Sequence, residues 1–335
     1  MKDNDKLKKI LLHYINLEYY ANGLDEEFSN LLSELEERCK KAITAYKNIN
    51  TKSTYTTLMK VIKEEVDKFK DELRQRLEEE AEIIMQNELT FLDETYNKES
   101  YENEDYQDDD EELEDDEDEE GPDNIEKAKN ERRNKRLLLT LGGITVSKIL
   151  FSPIDGRDTT EQFVERIGKN IKQSFEAPLR SGYIFGRSAE DVTEQIDKSM
   201  AQVERGMSNG IKTAIPSYAK TTDKIVFIQN NKEVTWVSIL DGKTCIVCAE
   251  LNEMKFKSAA EAPTTHTLCR CTLILSSEIT EELPTYEEFL NSLPEEEQKE
   301  ILGKSRYEMW KNDGIKLERF VNNGRKLRLD EIDKE

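Results

Sequence analysis

The chain has 335 residues, 36% of them charged, and a formal net charge of −23; its mean hydropathy is −0.78. This balance excludes a protein that coats nucleic acid through its overall field. It is also polar for one compact globule and fits long exposed helices joined by polar segments. The acidity is local, because residues 101–120 hold 15 carboxylates and no base. The start, Met1–Lys6, is charged and has no apolar core of a signal peptide. The longest apolar stretch, Leu137–Ser147, falls short of the about 20 residues a bilayer needs. The chain is therefore expected to be soluble and made in a cytoplasm.

Residues 5–47 read as a helix. Leu24, Phe28, Leu31, Leu35, Cys39 and Ala42 recur every three or four positions and form one apolar stripe. Cys39 lies on that stripe as a small buried hydrophobe. His13 has no partner at ligand spacing and reads as a packing or surface residue. A second helix is expected from Ser53 or Thr54 to about Tyr96, with Ile62, Val66, Phe69, Leu73, Leu77 and Ile84 on one face. Such a stripe needs a cover. Either the two helices fold back on each other as a hairpin over residues 1–96, or another protein covers them.

Residues 97–125 form an acidic low-complexity linker closed by Gly121-Pro122, expected to be disordered because like charges at that density cannot bury a core. A basic run follows, from Lys127 through Arg132, Arg133 and Lys135 to Arg136. It suits neutralising the acidic run beside it, with DNA contact as the other reading. Residues 137–223 read as a helical domain. Thr159-Thr160-Glu161-Gln162 offers a capping box ahead of Phe163, Ile167, Ile171 and Phe175, and Pro178 is expected to end that helix. Ser188 opens another helix, with Val192, Ile196, Met200, Val203, Met207 and Ile211 on one face, and Pro216 is expected to end it. The methionines are core filler.

At 224–240 the period changes. Lys224–Gln229 and Glu233–Leu240 are β-branched and aromatic around Asn230-Asn231, which predicts a β-hairpin. It leads into four of the five cysteines, at 245, 248, 269 and 271, together with His266. In a reducing cytosol such clustering points to a metal site rather than disulfides. Cys245 and Cys248 make a Cys-x-x-Cys knuckle. After seventeen intervening residues His266-x-x-Cys269 supplies a second arm, with Cys271 competing for the same place. Thiolate and imidazole donors in tetrahedral number favour zinc. Five candidates compete for four positions, and spacing does not choose between Cys269 and Cys271. A redox pair at Cys245/Cys248 and unliganded thiols are the other readings; no thioredoxin-like βαβ pattern surrounds the knuckle. Arg270 is placed to pair with Asp241 and tie the two arms. The expected fold is mainly α with a small α+β zinc-stapled module at 224–280 and a helical extension at 281–335. No nucleophilic triad, dinucleotide fingerprint or phosphate loop is present, so an enzyme is not expected.

The stretch Trp236–Cys248, followed by Pro263–Cys271, resembles the signature of the phage Mu F-like head morphogenesis family. The tail is similar to that family's C-terminal extension, in Tyr286–Leu290, Ile301–Trp310 and Leu317–Val321. The likeness covers roughly residues 140–330, and only 236–271 is sharply specific. The family's usual glycine after Asn252 is Glu253 here. The resemblance implies a minor capsid protein in few copies that associates with the portal and other capsid or scaffold components. It would be located in the virion and act in head morphogenesis, DNA packaging or ejection. DNA contact is possible under that reading; a membrane or a small-molecule substrate is not implied. The alternatives are a zinc-containing nucleic-acid-binding module outside the virion, or a toxin or effector carrying this family's module. Between 241 and 271 four bases face four acids, which does not favour phosphate binding.

Overall fold

The computed structural model describes residues 3–98, 139–279, 283–322 and 325–332. The acidic run 101–120 and the basic residues from Lys127 to Arg136 lie outside them. Among the described residues no helix is long and apolar enough to cross a membrane.

Helix α1 (Asp3–Thr44) and helix α2 (Lys52–Leu92) are the two long helices read from the sequence. Thr51 caps α2, its side chain accepting from Thr54 N at 3.1 Å. After α2 a π-helical turn, Asp93–Lys98, closes the segment. Asn97 then exchanges two hydrogen bonds with the backbone of Leu139, at 2.7 and 3.1 Å, so the chain's exit and re-entry points are pinned together. A short helix α3 (Val146–Leu150) precedes α4 (Thr160–Phe185) and α5 (Ala189–Gln229). The capping box forms as read: Thr159 accepts from Gln162 N, and Gln162 reaches back to the Thr159 N–H.

The stripes of α1 and α2 are covered partly by each other and largely by α4 and α5. The four helices form one bundle, and Leu35, Cys39, Leu73, Leu77, Phe163 and Phe175 are completely buried in it. Each such side chain contributes about 1.5–3 kcal/mol by leaving water. Burial pushes the Cys39 thiol up to about 12, as fits inert packing. Met200 and Met207 are core residues, as expected.

Three expectations are corrected. Pro178 does not end α4, and Pro216 does not end α5; both sit inside their helices. A proline in a helix costs about 3 kcal/mol. Here the turns on both sides are buried, with Phe175 and Leu179 around Pro178 and Ile215 and Tyr218 around Pro216. Burying two such residues exceeds the proline cost. The third correction is the hairpin. Residues 224–229 continue α5, because Val226 and Phe227 extend the stripe of Met207, Ile211, Ile215 and Tyr218 into the same core. Packing overrides their β propensity. The asparagines do make a turn, with Asn231 at φ +48, but it links α5 to a strand.

That strand, β1 (Val234–Val237), is the centre of a three-stranded antiparallel sheet. It pairs with β2 (Lys255–Phe256) on one side and β3 (Thr272–Leu275) on the other. Between β1 and β2 lies the short helix α6 (Ile246–Leu251). The C-terminal part holds α7 (Tyr286–Ser292), α8 (Glu295–Leu302), α9 (Lys304–Lys311) and the hairpin β4 (Val321–Asn322)–β5 (Arg325–Lys326). These build a second core around Leu290, Leu302, Trp310 and Phe320, joined by Ile246 and Ala249 of α6. The tail aromatics are thus spent on packing within the chain.

Candidate metal centre

Cys245 is the N-cap of α6, and its sulfur accepts from Cys248 N at 3.4 Å. This geometry turns both thiols of the knuckle to the same side. The second arm is a tight turn in which Cys269 N donates to His266 O at 3.0 Å and Leu268 sits at φ +57. Cys271 follows, immediately before β3. The turn is held on α5: Thr213 Oγ1 accepts from Leu268 N at 3.1 Å, and Lys220 Nζ donates to Cys269 O at 2.5 Å.

All five expected site residues come together. Cys245, Cys248 and His266 form one group of donor atoms within 4.8 Å of one another, and Cys248, Cys269 and Cys271 form a second. Cys248 belongs to both. His266 Nε2 is 3.1 Å from Cys245 Sγ and 3.0 Å from Cys248 Sγ, and Cys248 Sγ is 3.7 Å from Cys269 Sγ. A tetrahedral zinc site with Zn–S near 2.3 Å has S···S edges of about 3.8 Å and S···N edges of about 3.5 Å. The sulfur pair fits that edge, and the imidazole contacts are a few tenths of an ångström tighter. His266 Nδ1 lies 2.7 Å from Thr267 O. That carbonyl accepts a hydrogen bond from Nδ1–H, which leaves Nε2 to face the sulfurs as a ligand atom. The residues therefore fit a metal ion.

Protons are held unevenly across the five donors: Cys245 and Cys269 are shifted down, and Cys248, Cys271 and His266 up. Hydrogen bonding from Cys248 holds the Cys245 thiol down to about 4, and the same neighbour keeps Cys269 well below its ordinary value. His266 is raised to about 11, chiefly by Cys245. Cys248 is pushed up by its sulfur neighbours. Family models, curated proteins and solved structures give no match to this chain.

A second layer of polar groups fixes the donors. Ser238 Oγ donates to Cys248 O at 2.6 Å and accepts from Cys271 Sγ at 3.2 Å. Arg270 makes the expected two-pronged pair with Asp241, joining the arms. Asp241 also accepts from Lys243 N at 2.8 Å; burial pushes its carboxyl up, but the Arg270 pair, helped by that N–H, outweighs burial and holds it below the ordinary range.

Glu253 occupies φ +68, the left-handed region that favours glycine. Its N–H donates to Trp236 O at 2.9 Å, and Leu283 N donates to its Oε1 at 2.8 Å. The side chain therefore offsets part of the strain with a hydrogen bond of about 1 kcal/mol. Glu253→Ala keeps the strain and loses the bond, so it should cost about 1 kcal/mol. Glu253→Gly loses the bond but relieves the strain, and should change stability little. Denaturant midpoints of the two variants check this; equal losses would refute it.

Sequence reading missed a separate polar cluster. His13 pairs with Glu88, 75 residues away, and Tyr14 with Asp223, 209 residues away. Helical periodicity assigns faces and carries no signal for partners at such separations.

Proposed function

We propose that the chain is a non-enzymatic structural protein whose C-terminal part is closed by one zinc ion, and that it serves as a minor head protein of a tailed phage. The observation that carries the metal reading is the convergence of two arms, with 17 residues between them in sequence, on Cys248. Four thiol sulfurs and one imidazole are soft donors that suit zinc over magnesium or calcium. Cys245, Cys248, His266 and Cys269 would hold the ion, with the 3.7 Å sulfur separation favouring Cys269 over Cys271. The ion would supply a crosslink between α6 and the turn ahead of β3. The head-protein reading is supported by the likeness of Trp236–Cys271 and the tail to the Mu F-like family.

The first two helices share the bundle core, so the test uses the full chain. Co-expressed with the portal protein of the same genome, it should co-purify with the portal ring. Mass spectrometry of purified particles should find it at far fewer copies than the major shell protein. Absence from particles, together with no binding to any head component, would refute the head role and leave the metal reading standing.

A further inference from the structure

A cavity of about 290 Å³ is lined by one face of α5, by the loop Pro263–Thr265 and by Trp236 and Leu273 of the sheet. Its size is at the lower end of small-molecule sites, about 300–1,000 Å³. Two cations of α5 reach it, Lys220 and Lys224, one turn apart on the same face. Lys224 Nζ donates to Ala262 O at 2.9 Å, and Lys220 Nζ donates to Cys269 O at 2.5 Å. Among the described residues these are their only hydrogen bonds, and neither amine has a carboxylate within ion-pair distance. An ammonium carries three N–H donors, so each keeps two to spare. Both lysines are half-buried. A cation withdrawn from water without a counter-charge is costly. For Lys224 that cost shows directly, since burial lowers its amine and no carboxylate opposes the shift. Trp236 adds an indole N–H that is buried without an acceptor. Donors therefore collect here and no acid answers them.

The rest of the lining is apolar. Pro153, Ile225, Ile228 and Leu273 contribute to it, and Ile228 is 38% exposed, one of the large apolar side chains the fold leaves uncovered. The loop wall is braced from outside. Gly156 sits at φ +78, and a Cβ there would meet Thr264 Oγ1 at 2.9 Å, so only glycine lets the two loops approach this closely. Two residues on, Thr267 Oγ1 donates to Asp155 Oδ2 at 3.3 Å. The cavity is thus held open between a packed helix and a fixed loop.

We propose that this cavity binds a small organic anion, its carboxylate or phosphate head held by Lys220 and Lys224 and its compact apolar body lying along Ile225, Ile228 and Leu273. The head supplies the counter-charge both amines lack, and the body covers Ile228. A nucleic-acid backbone is the poorer fit: it calls for cations along an open groove, whereas these two stand in a small cavity with apolar walls. The inference uses neither the metal nor the head-protein reading.

The test titrates the metal-loaded full chain with benzoate and with phenyl phosphate, followed by ligand NMR. Phenol serves as a body without charge, and inorganic phosphate as a head without a body. At least one aromatic anion should bind one to one, with a dissociation constant on the order of 1 mM or tighter. Phenol and inorganic phosphate should each bind more weakly than that anion. Lys224→Met should weaken the anion by roughly 10-fold or more and leave phenol unchanged. Lys224 is the decisive position because its partner, Ala262 O, lies outside the cysteine arms, whereas Lys220 also anchors Cys269. A second variant, Ile228→Glu, places a carboxylate four residues beyond Lys224, where it pairs with that amine as a built-in competitor. It should abolish anion binding at an already exposed site, and it decides alone should Lys224→Met fail to fold. Metal content should stay the same in both variants. No saturable binding of either aromatic anion, or equal affinity in parent and variants, would overturn the proposal. So would single-stranded oligonucleotide binding tighter than either anion and lost in Lys224→Met, since the two cations would then serve a nucleic-acid backbone.

Discussion

Cys248→Ser should abolish stoichiometric metal binding and loosen the C-terminal part while sparing the four-helix bundle. Cys248 belongs to both donor groups and is 3% exposed, so its loss breaks both groups at once. Apparent binding free energies of structural zinc sites are about 10–16 kcal/mol, and they stabilise only the module the metal closes. Losing one ligand of four should remove several kcal/mol of that. The effect should stay local because α6 is the element at stake. It carries Cys248 on one face and delivers Ile246 and Ala249 to the second core on the other. The sheet strands, by contrast, bury Val234, Val237, Ile274 and Leu275 in the bundle's core. Both tryptophans, Trp236 and Trp310, lie in the affected region, so their fluorescence should respond. Amide exchange across α2 and α4 should not change. Chelation of the parent protein should reproduce the same pattern. Cys271→Ser should keep the metal, since Cys271 stands beside Ser238 while Cys269 completes the sulfur edge. Parent protein free of metal after chelator-free purification, or loss of bundle protection in Cys248→Ser, would refute the assignment.

How much of this was legible before any coordinates depends on the range over which each signal acts. The i, i+3, i+4 stripes gave α1, α2, α4 and α5 with their buried faces, and Thr159 and Ser188 announced two helix starts through local cap chemistry. The cysteine–histidine cluster was legible because its members come in two short arms, and Arg270–Asp241 because the pair spans those arms. What stayed hidden is set by long-range packing. The stripes did not say that α1 lies against α5 and α2 against α4. Pro178 and Pro216 carry a strong local stop signal, which the burial of the neighbouring turns outweighs. Residues 224–229 carry a local strand signal, which the continuing α5 stripe outweighs. The pairs His13–Glu88 and Tyr14–Asp223 depend on that same helix arrangement and could not be read ahead of it.

Gly210→Ala should destabilise the bundle by about 2 kcal/mol or more, against the direction that helix propensity alone gives. Gly210 lies inside α5, where alanine is ordinarily better by about 1 kcal/mol. A Cβ built there would meet Phe163 Cε2 at 2.1 Å and Cζ at 2.5 Å, well inside van der Waals contact. The ring has no room to yield: Phe163 is completely buried, and the Arg166 guanidinium lies 5.4 Å from its centroid. Overpacking of this kind costs typically about 1–3 kcal/mol, and so severe an overlap belongs at the upper end. Gly206, one turn earlier on the same helix, has nothing within 4 Å of its would-be Cβ. Gly206→Ala should therefore stabilise by about 0.5–1 kcal/mol. Opposite signs from the same substitution four residues apart would separate close packing from propensity. Phe163→Leu should cost stability alone, yet lessen the Gly210→Ala penalty in the double variant, because the two residues share one contact. Chemical denaturation of the four proteins measures this coupling. Additive losses would mean that Gly210 does not provide the space for Phe163, and that α4 and α5 are not held at the approach described.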